Sequence, residues 1–345
     1  MSTHSASSSS LAHATARFLP HIEAEMRAVI NADEQPKPFN TMLNYHLGFA
    51  NPDGSPAQVS AGKRIRPVLT LLSCEACGED WQKALPAAAA VELLHNFSLI
   101  HDDIEDRDEL RRGRPTVWAI WGVPQAINAG DAMFVLAHLA LLRSAARGVP
   151  ADRLVRAMLA FEQMCLQLTI GQHLDLSFET RSDVTAEEYM RMIAGKTAAL
   201  ISAACRIGAI IAGAEDAQVE VLAAFGHNFG LSFQLQDDVL GIWGDPNQTG
   251  KPTSDLIHRK KTLPVLYAAD RDPSLRPHLF ALHPISETQA EALRAQLEAL
   301  GAKSHTEAEA ARAFAAARAA LMRLPSSQAR DTLEALASSL LRRQQ

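Results

Sequence analysis

Two acidic runs mark the places where this chain could do chemistry. Ser98-Leu99-Ile100-His101-Asp102-Asp103-Ile104-Glu105-Asp106 ends an apolar stretch in four carboxylates. Far downstream, Phe233-Gln234-Leu235-Gln236-Asp237-Asp238-Val239-Leu240-Gly241 ends a second stretch in a paired Asp. On a helix, residues four apart share a face, so Asp102 and Asp106 point together with Asp103 beside them. Adjacent like charges cost energy unless something cationic compensates. Carboxylate oxygens suit hard divalent cations, above all Mg²⁺, which keeps several waters and also takes phosphate oxygens. The alternative is a solvated acidic helix end, but acids near a helix C-terminus oppose its macrodipole. Two such pairs on facing helices can hold Mg²⁺ ions between them, the pattern of a diphosphate clamp.

Cations flank both runs. Gly62-Lys63-Arg64-Ile65-Arg66-Pro67 precedes a helix; Arg111, Arg112 and Arg114 follow the first acidic run. Lys196 and Thr197 lie mid-helix in apolar surroundings, and Lys251 and Arg259-Lys260-Lys261 follow the second run. Arg makes bidentate phosphate contacts, and Lys serves as a point charge. The chain as a whole has a net charge of −6. It is therefore no general polyanion or nucleic-acid binder, and any anion site must be local. Cys74 and Cys77 form a C-x-x-C, but no second pair or His set completes a zinc site. All four cysteines read as small buried hydrophobes, and reduced thiols fit a cytoplasmic location.

These residues need a scaffold, and the composition supplies helices. The 345 residues are 47% hydrophobic and 21% charged, rich in Ala, Leu, Glu, Arg and Gln. Apolar residues recur at three-to-four spacing over 85–106, 126–144, 151–176, 186–212 and 217–241, with turn signals between. Length alone suggests about two domains, yet no composition shift marks a boundary. The reading is one large all-α domain over 15–345 behind a disordered Ser-rich tail, 1–14. Residues 1–12 lack the charged and apolar regions of a secretory signal. With no run of eighteen apolar residues, no membrane-spanning helix is expected.

Taken together, GKRIRP, HNFSLIHDDIEDRDELRRGRPT, GQHLDL, GKTAAL, FQLQDDVLGIWGDPNQTGKPTSDL and RKKTLP resemble the trans-isoprenyl diphosphate synthases, the polyprenyl synthetase family. The motifs run in the family's order from about residue 62 to 264. The resemblance implies an isoprenoid synthase helical bundle, of the class I terpene synthase type, around a central apolar cavity. It implies about three Mg²⁺ ions, with Mn²⁺ as a possible substitute. Asp102 and Asp106 would bind metal on the allylic diphosphate, Asp237 would hold a further ion and Asp238 would assist through water. The family's second motif ends in another Asp where this chain has Gly241; Asp245 is a weak candidate to compensate. Lys63, Arg66, His95 and Arg112 match the isopentenyl diphosphate pocket. Arg111, Lys196, Thr197, Gln234, Lys251 and Lys260 match the allylic diphosphate site, and Gln172 and Asp175 line the reaction centre.

The chemistry implied is head-to-tail 1′-4 condensation of isopentenyl diphosphate with dimethylallyl, geranyl or farnesyl diphosphate. The diphosphate leaves, the double bond attacks the allylic cation and a proton is lost. One helical turn, about 5.4 Å, compares with an isoprene unit. Bulky Phe97 with small Ser98, five and four residues before the motif, therefore resembles the C20 geranylgeranyl pattern, against C15 farnesyl or products beyond C20. A homodimer is the family's assembly. A terpene cyclase is disfavoured by QDDVLG, and a non-catalytic subunit of a heteromeric synthase by the surviving Asp motifs.

Overall fold

Good helix formers dominate the chain, and they fold as helices throughout. The computed structural model describes residues 3–32, 34–57, 59, 62, 64–244, 255–281, 283 and 285–342, with side chains over 15–340. In chain order the helices are α1 (Thr3–Ile30), α2 (Lys37–His46), α3 (Ile65–Ala76) and α4 (Leu85–Glu105). A two-residue hairpin, β1 (Leu110–Arg111) with β2 (Arg114–Pro115), precedes α5 (Val117–Trp121), α6 (Val123–Leu142) and α7 (Ala151–Thr180). Then come α8 (Ala186–Ile193), α9 (Ala199–Ala212) and α10 (Asp216–Trp243). After Asp255 follow α11 (Leu263–Arg271), α12 (Arg276–Leu279), α13 (Glu287–Ala299), α14 (Ala302–Leu321) and α15 (Gln328–Arg342).

The five periodic stretches thus fall on α4, α6, α7, α8 with α9, and α10. Three features differ from the sequence expectation. The backbone is already helical from Thr3, inside the segment expected to be a disordered tail. The stretch 186–212 is interrupted by a wide π turn, Ala194–Ala198. Finally, Val123–Arg147 and Ala186–Ala212 are long and apolar enough to cross a membrane by length and composition. Counting unbroken apolar runs missed them because isolated polar residues such as Asp131 and Lys196 interrupt each stretch. Two-thirds of the apolar window in Ala186–Ala212 is buried in the fold, as in the core helix of a globular protein.

The described chain divides into two compact units. The first comprises Met1–Ala160, Ala204–Val219 and Ser327–Leu333; the second comprises Phe161–Ala203, Glu220–Ser326 and Glu334–Gln345. In the first unit α4 is central, packed by α1, α3 and α6. Its run Ala87 to Val91 is fully buried, and a helix apolar on every side belongs in a core. In the second unit the core gathers Phe178, Tyr189, Ile193, Leu235, Ile242, Leu256, Leu263 and Leu266. The four cysteines are unbridged, three of them buried. Burial pushes the Cys77 thiol to about 11 and that of Cys205 to about 12, so neither is a nucleophile at neutral pH.

Candidate active site

In the first unit the acidic run closes α4. Pro86 sits in the first turn of the helix, where its missing N–H costs nothing. The far end is a Schellman-type stop: Asp108 N–H donates to Asp103 O at 3.0 Å and Arg107 N–H to Ile104 O at 3.3 Å. Arg107 takes the left-handed conformation, φ 58°, that glycine usually supplies. Asp103 is 1% exposed and accepts from Arg111 Nε at 2.5 Å. Burial pushes its carboxyl up to about 6, with Arg111 opposing. Its other oxygen, Oδ2, is buried with no hydrogen-bond partner among the described residues. Asp102 is partly exposed and Asp106 exposed. The outer acids therefore face outward while the inner one holds Arg111.

The hairpin after α4 turns at Arg112-Gly113, with φ of 53° and 74°, the two positive values of a type I′ turn. It is tied to α2: Tyr45 Oη donates to Pro115 O at 2.7 Å, and Arg114 donates to Tyr45 O at 3.2 Å and to Ala50 O at 3.1 Å. A cavity lined by Tyr45, His46, Asp103, Arg111, Arg112 and Arg114 results. Burial and then Arg111, Arg112 and Arg114 drive the His46 imidazole down to about 3. Burial followed by Arg66, Arg112 and Arg111 holds His95 well below its usual range. Both imidazoles are therefore neutral and surrounded by positive charge, an environment that favours an anion. Glu92, 3% exposed, is raised by burial while Arg64, Arg66 and Arg112 pull it down. Of the cations in GKRIRP, Arg64 is structural: buried, 3.6 Å from Glu92 and 3.3 Å from Glu23. Lys63 lies outside the described residues. Phe97 packs against Phe134, ring centroids 4.9 Å apart, and against His101 at 4.8 Å. Ser98 Oγ donates to its own helix at His95 O.

In the second unit two glycines set the geometry. A Cβ at Gly171 would lie 2.2 Å from Lys196 N, and one at Gly195 would lie 2.7 Å from Gln167 O. Backbone thus meets backbone between α7 and the π turn, which only glycine permits. The π turn presents Lys196 and Thr197: Lys196 Nζ donates to Asp175 Oδ2 at 2.5 Å and Thr197 Oγ1 to Gln234 Oε1 at 2.8 Å. Gln234 Nε2 then donates to Asp238 Oδ1 at 3.2 Å, and Tyr189 Oη donates to Asp238 Oδ2 at 2.5 Å. Asp238 is 1% exposed, and burial pushes it up to about 7 against these two hydrogen bonds. Asp237 is partly exposed. Lys260 is 64% exposed, 4.0 Å from Asp255. Gln172 stands on α7 with Asp175. Lys251 and Asp245 lie outside the described residues.

The structure thus joins Asp103 with Arg111, Lys196 with Asp175, and Thr197 with Gln234 and Asp238. Sequence reading missed His46, Glu92, Tyr189 and Asp255. Asp255 closes the quoted second motif without being singled out, and His46, Glu92 and Tyr189 lie in no recognisable cluster, so packing reveals their partners. The acidic groups at each helix end offer carboxylate oxygens, and among the described residues one buried Asp103 oxygen has no hydrogen-bond partner. Carboxylate oxygens of this kind fit a hard divalent cation such as Mg²⁺.

Residues 56–300 match the family model described as polyprenyl synthetase. A geranylgeranyl diphosphate synthase of Mycobacterium tuberculosis is 47% identical over 248 residues, 72% of this chain and 70% of that protein. A (2E,6E)-farnesyl diphosphate synthase of Mycobacterium bovis is 48% identical over 237 residues, 68% of this chain but 65% of its own length. The crystal structure of a polyprenyl synthetase from Streptomyces coelicolor A3(2) superposes with a TM-score of 0.88 at 37% identity, covering 96% of this chain and 99% of that one.

Proposed function

The chain belongs to the polyprenyl synthetase family of prenyl diphosphate synthases, and from that premise we propose that it makes geranylgeranyl diphosphate by 1′-4 condensation of isopentenyl diphosphate with an allylic diphosphate. The family uses divalent metal ions; Mg²⁺, about three ions, is the proposed set. Asp102, Asp106 and Asp237 would hold them, each next to an inner acid that fixes its helix end. When bound, the cations neutralise and template the diphosphate leaving group.

The chain's own groups do the rest. Lys63, Arg66, His95 and Arg112 bind isopentenyl diphosphate, and neutral His95 can donate a hydrogen bond without adding a buried charge. Arg111, Lys196, Thr197, Gln234, Lys251 and Lys260 orient the allylic diphosphate and stabilise charge as the C–O bond ionises. Lys196 is oriented by Asp175, and Thr197 by the Gln234–Asp238 chain. Apolar packing keeps water from the cation, and the proton lost after attack passes to the departing diphosphate. One observation carries this reading: at each acidic helix end the inner Asp is buried and anchored while an outer Asp is left accessible. Incubating the chain with isopentenyl diphosphate, Mg²⁺ and each allylic primer tests it; linear C20 diphosphate is expected, and absence of any elongation overturns it. A C15 farnesyl product is the second reading, favoured by the bulk that Phe134 and His101 add to Phe97.

Residues 15–345 are proposed to work as a single catalytic domain in the cytoplasm, in keeping with four unbridged thiols. The proposed assembly is a homodimer. It is supported by the exposed apolar row Ile127, Val135, Leu139 and Leu142 on α6, and by Val155 and Leu159 on α7. Sedimentation of the chain at twice its monomer mass is the expected result.

A further inference from the structure

Arg111 and Arg112, read above as ligands of different diphosphates, are neighbours on one short hairpin. A ladder of two residues per strand does not hold itself in water. Its turn also sets Arg112 at φ 53°, a left-handed value that costs a residue with a side chain. The direction in which both guanidiniums point therefore depends on what the hairpin is tied to. Arg111 reaches α4 through Asp103. The Arg112 guanidinium reaches the GKRIRP segment, where a Cβ on Gly62 would stand 2.8 Å from Arg112 Nη2.

The third arginine of RRGR, Arg114, is committed elsewhere. Its Nη1 donates to Tyr45 O at 3.2 Å and its Nη2 to Ala50 O at 3.1 Å. Its Cζ stands 4.0 Å from the centre of the Tyr45 ring. These carbonyls lie in the last turn of α2 and just beyond it, where helical donors run out and a cation is favoured. Tyr45 is a firm base: it is 3% exposed, and its ring meets Trp121 of α5 edge-on at 5.2 Å. Its Oη donates back to Pro115 O of β2 at 2.7 Å. Hydrogen bonds in both directions and a cation over a ring thus join β2 to α2.

We propose that Arg114 and Tyr45 are positioning residues for both substrates at once. They clasp the hairpin to α2 and so aim Arg111 and Arg112 together, without touching either diphosphate. The inference rests on the reading above that these two arginines bind the two diphosphates. Guanidiniums already aimed lose less freedom on binding than mobile ones, so loosening the clasp weakens both substrates in parallel.

Kinetics on full-length protein test this. Wild type, R114A, R114K, Y45F and Y45F/R114A are assayed with Mg²⁺, varying isopentenyl diphosphate and the allylic primer in turn. Each is also melted without substrate. R114A should raise KM for both substrates by about tenfold, within what misplacing a binding group costs, while kcat changes less. R114K should match R114A to within about twofold, because an ammonium cannot span two carbonyls and lie flat on a ring. Y45F removes one hydrogen bond and should raise both KM values by about threefold. The double variant should exceed R114A by less than that, since both residues act through one hairpin. If R114A does not fold, R114K and Y45F carry the same comparison. A rise confined to one substrate makes Arg114 a ligand of that diphosphate and overturns the inference. Wild-type KM values in R114K or Y45F overturn it too, as does a lowered melting temperature with both KM values unchanged. Wild type that elongates no primer overturns the proposed reaction itself, and the inference with it.

Discussion

The two acidic helix ends solve the same problem with different partners. Each has an inner Asp that is 1% exposed beside a partly exposed outer Asp. At the end of α4 the inner acid, Asp103, is matched by a guanidinium, Arg111 Nε at 2.5 Å. At the end of α10 the inner acid, Asp238, has only neutral donors, Tyr189 and Gln234. Burial lifts both carboxyls, opposed at Asp103 by the Arg111 guanidinium and at Asp238 by the hydrogen bonds from Tyr189 and Gln234. The first end depends on an ion pair that breaks badly. The second depends on a hydrogen-bonded chain that runs on to Thr197.

Chemistry on the outer acids and support from the inner ones is the proposed split, and the largest expected effect tests it. Asp102→Ala and Asp237→Ala should each lower turnover by about 10²-fold or more with the melting temperature nearly unchanged; steady-state kinetics beside calorimetry separate the two. An unfolded Asp237→Ala protein would break the split.

Next in size is the difference between the inner acids. Asp103→Asn leaves Arg111 without its carboxylate and should cost about 3 kcal/mol. Asp238→Asn can still accept one hydrogen bond and removes a buried carboxyl that is ionised above pH 7, so at pH 8 it should cost nothing or stabilise slightly. Denaturant unfolding at pH 8 measures both, and equal losses would erase the distinction between cation and neutral donors.

The pH dependence of stability without metal sharpens it further, because the signs are opposite. His46 falls from an unfolded value near 6.5 to about 3 in the fold. Its neutral burial therefore stabilises above 6.5, and that stability is lost as pH falls toward 3. Asp238 rises from 3.8 to about 7. Its protonated burial stabilises below 3.8 and that stability is lost as pH rises through 7. Asp103 acts in the same sense as Asp238 over a narrower window. His46→Gln should flatten the acid limb of the stability curve, and Asp238→Asn the fall between pH 4 and 7. The smallest effect is on product length: Phe97→Ala should lengthen the main product by one isoprene unit, read by chromatography of the dephosphorylated alcohols.

Much of this was legible in the chain itself. The helices α4, α7 and α10 follow from apolar spacing because a helix buries one face whatever it packs against. The acidic runs, the flanking arginines and the glycines of GQHLDL and GKTAAL are contiguous signals, so spacing and residue type suffice to single them out. Tertiary structure alone decided the partners. Nothing local distinguishes Asp103 from Asp102; burial against Arg111 does. Nothing in RRGRPT announces that Arg114 turns back to Tyr45, or that Tyr189 reaches Asp238 across 49 residues. Position along the chain determines which groups a helix can present. Which of them are desolvated, and beside what charge, depends on elements far apart in sequence, and that is where the carboxylates and imidazoles of this protein acquire their different strengths.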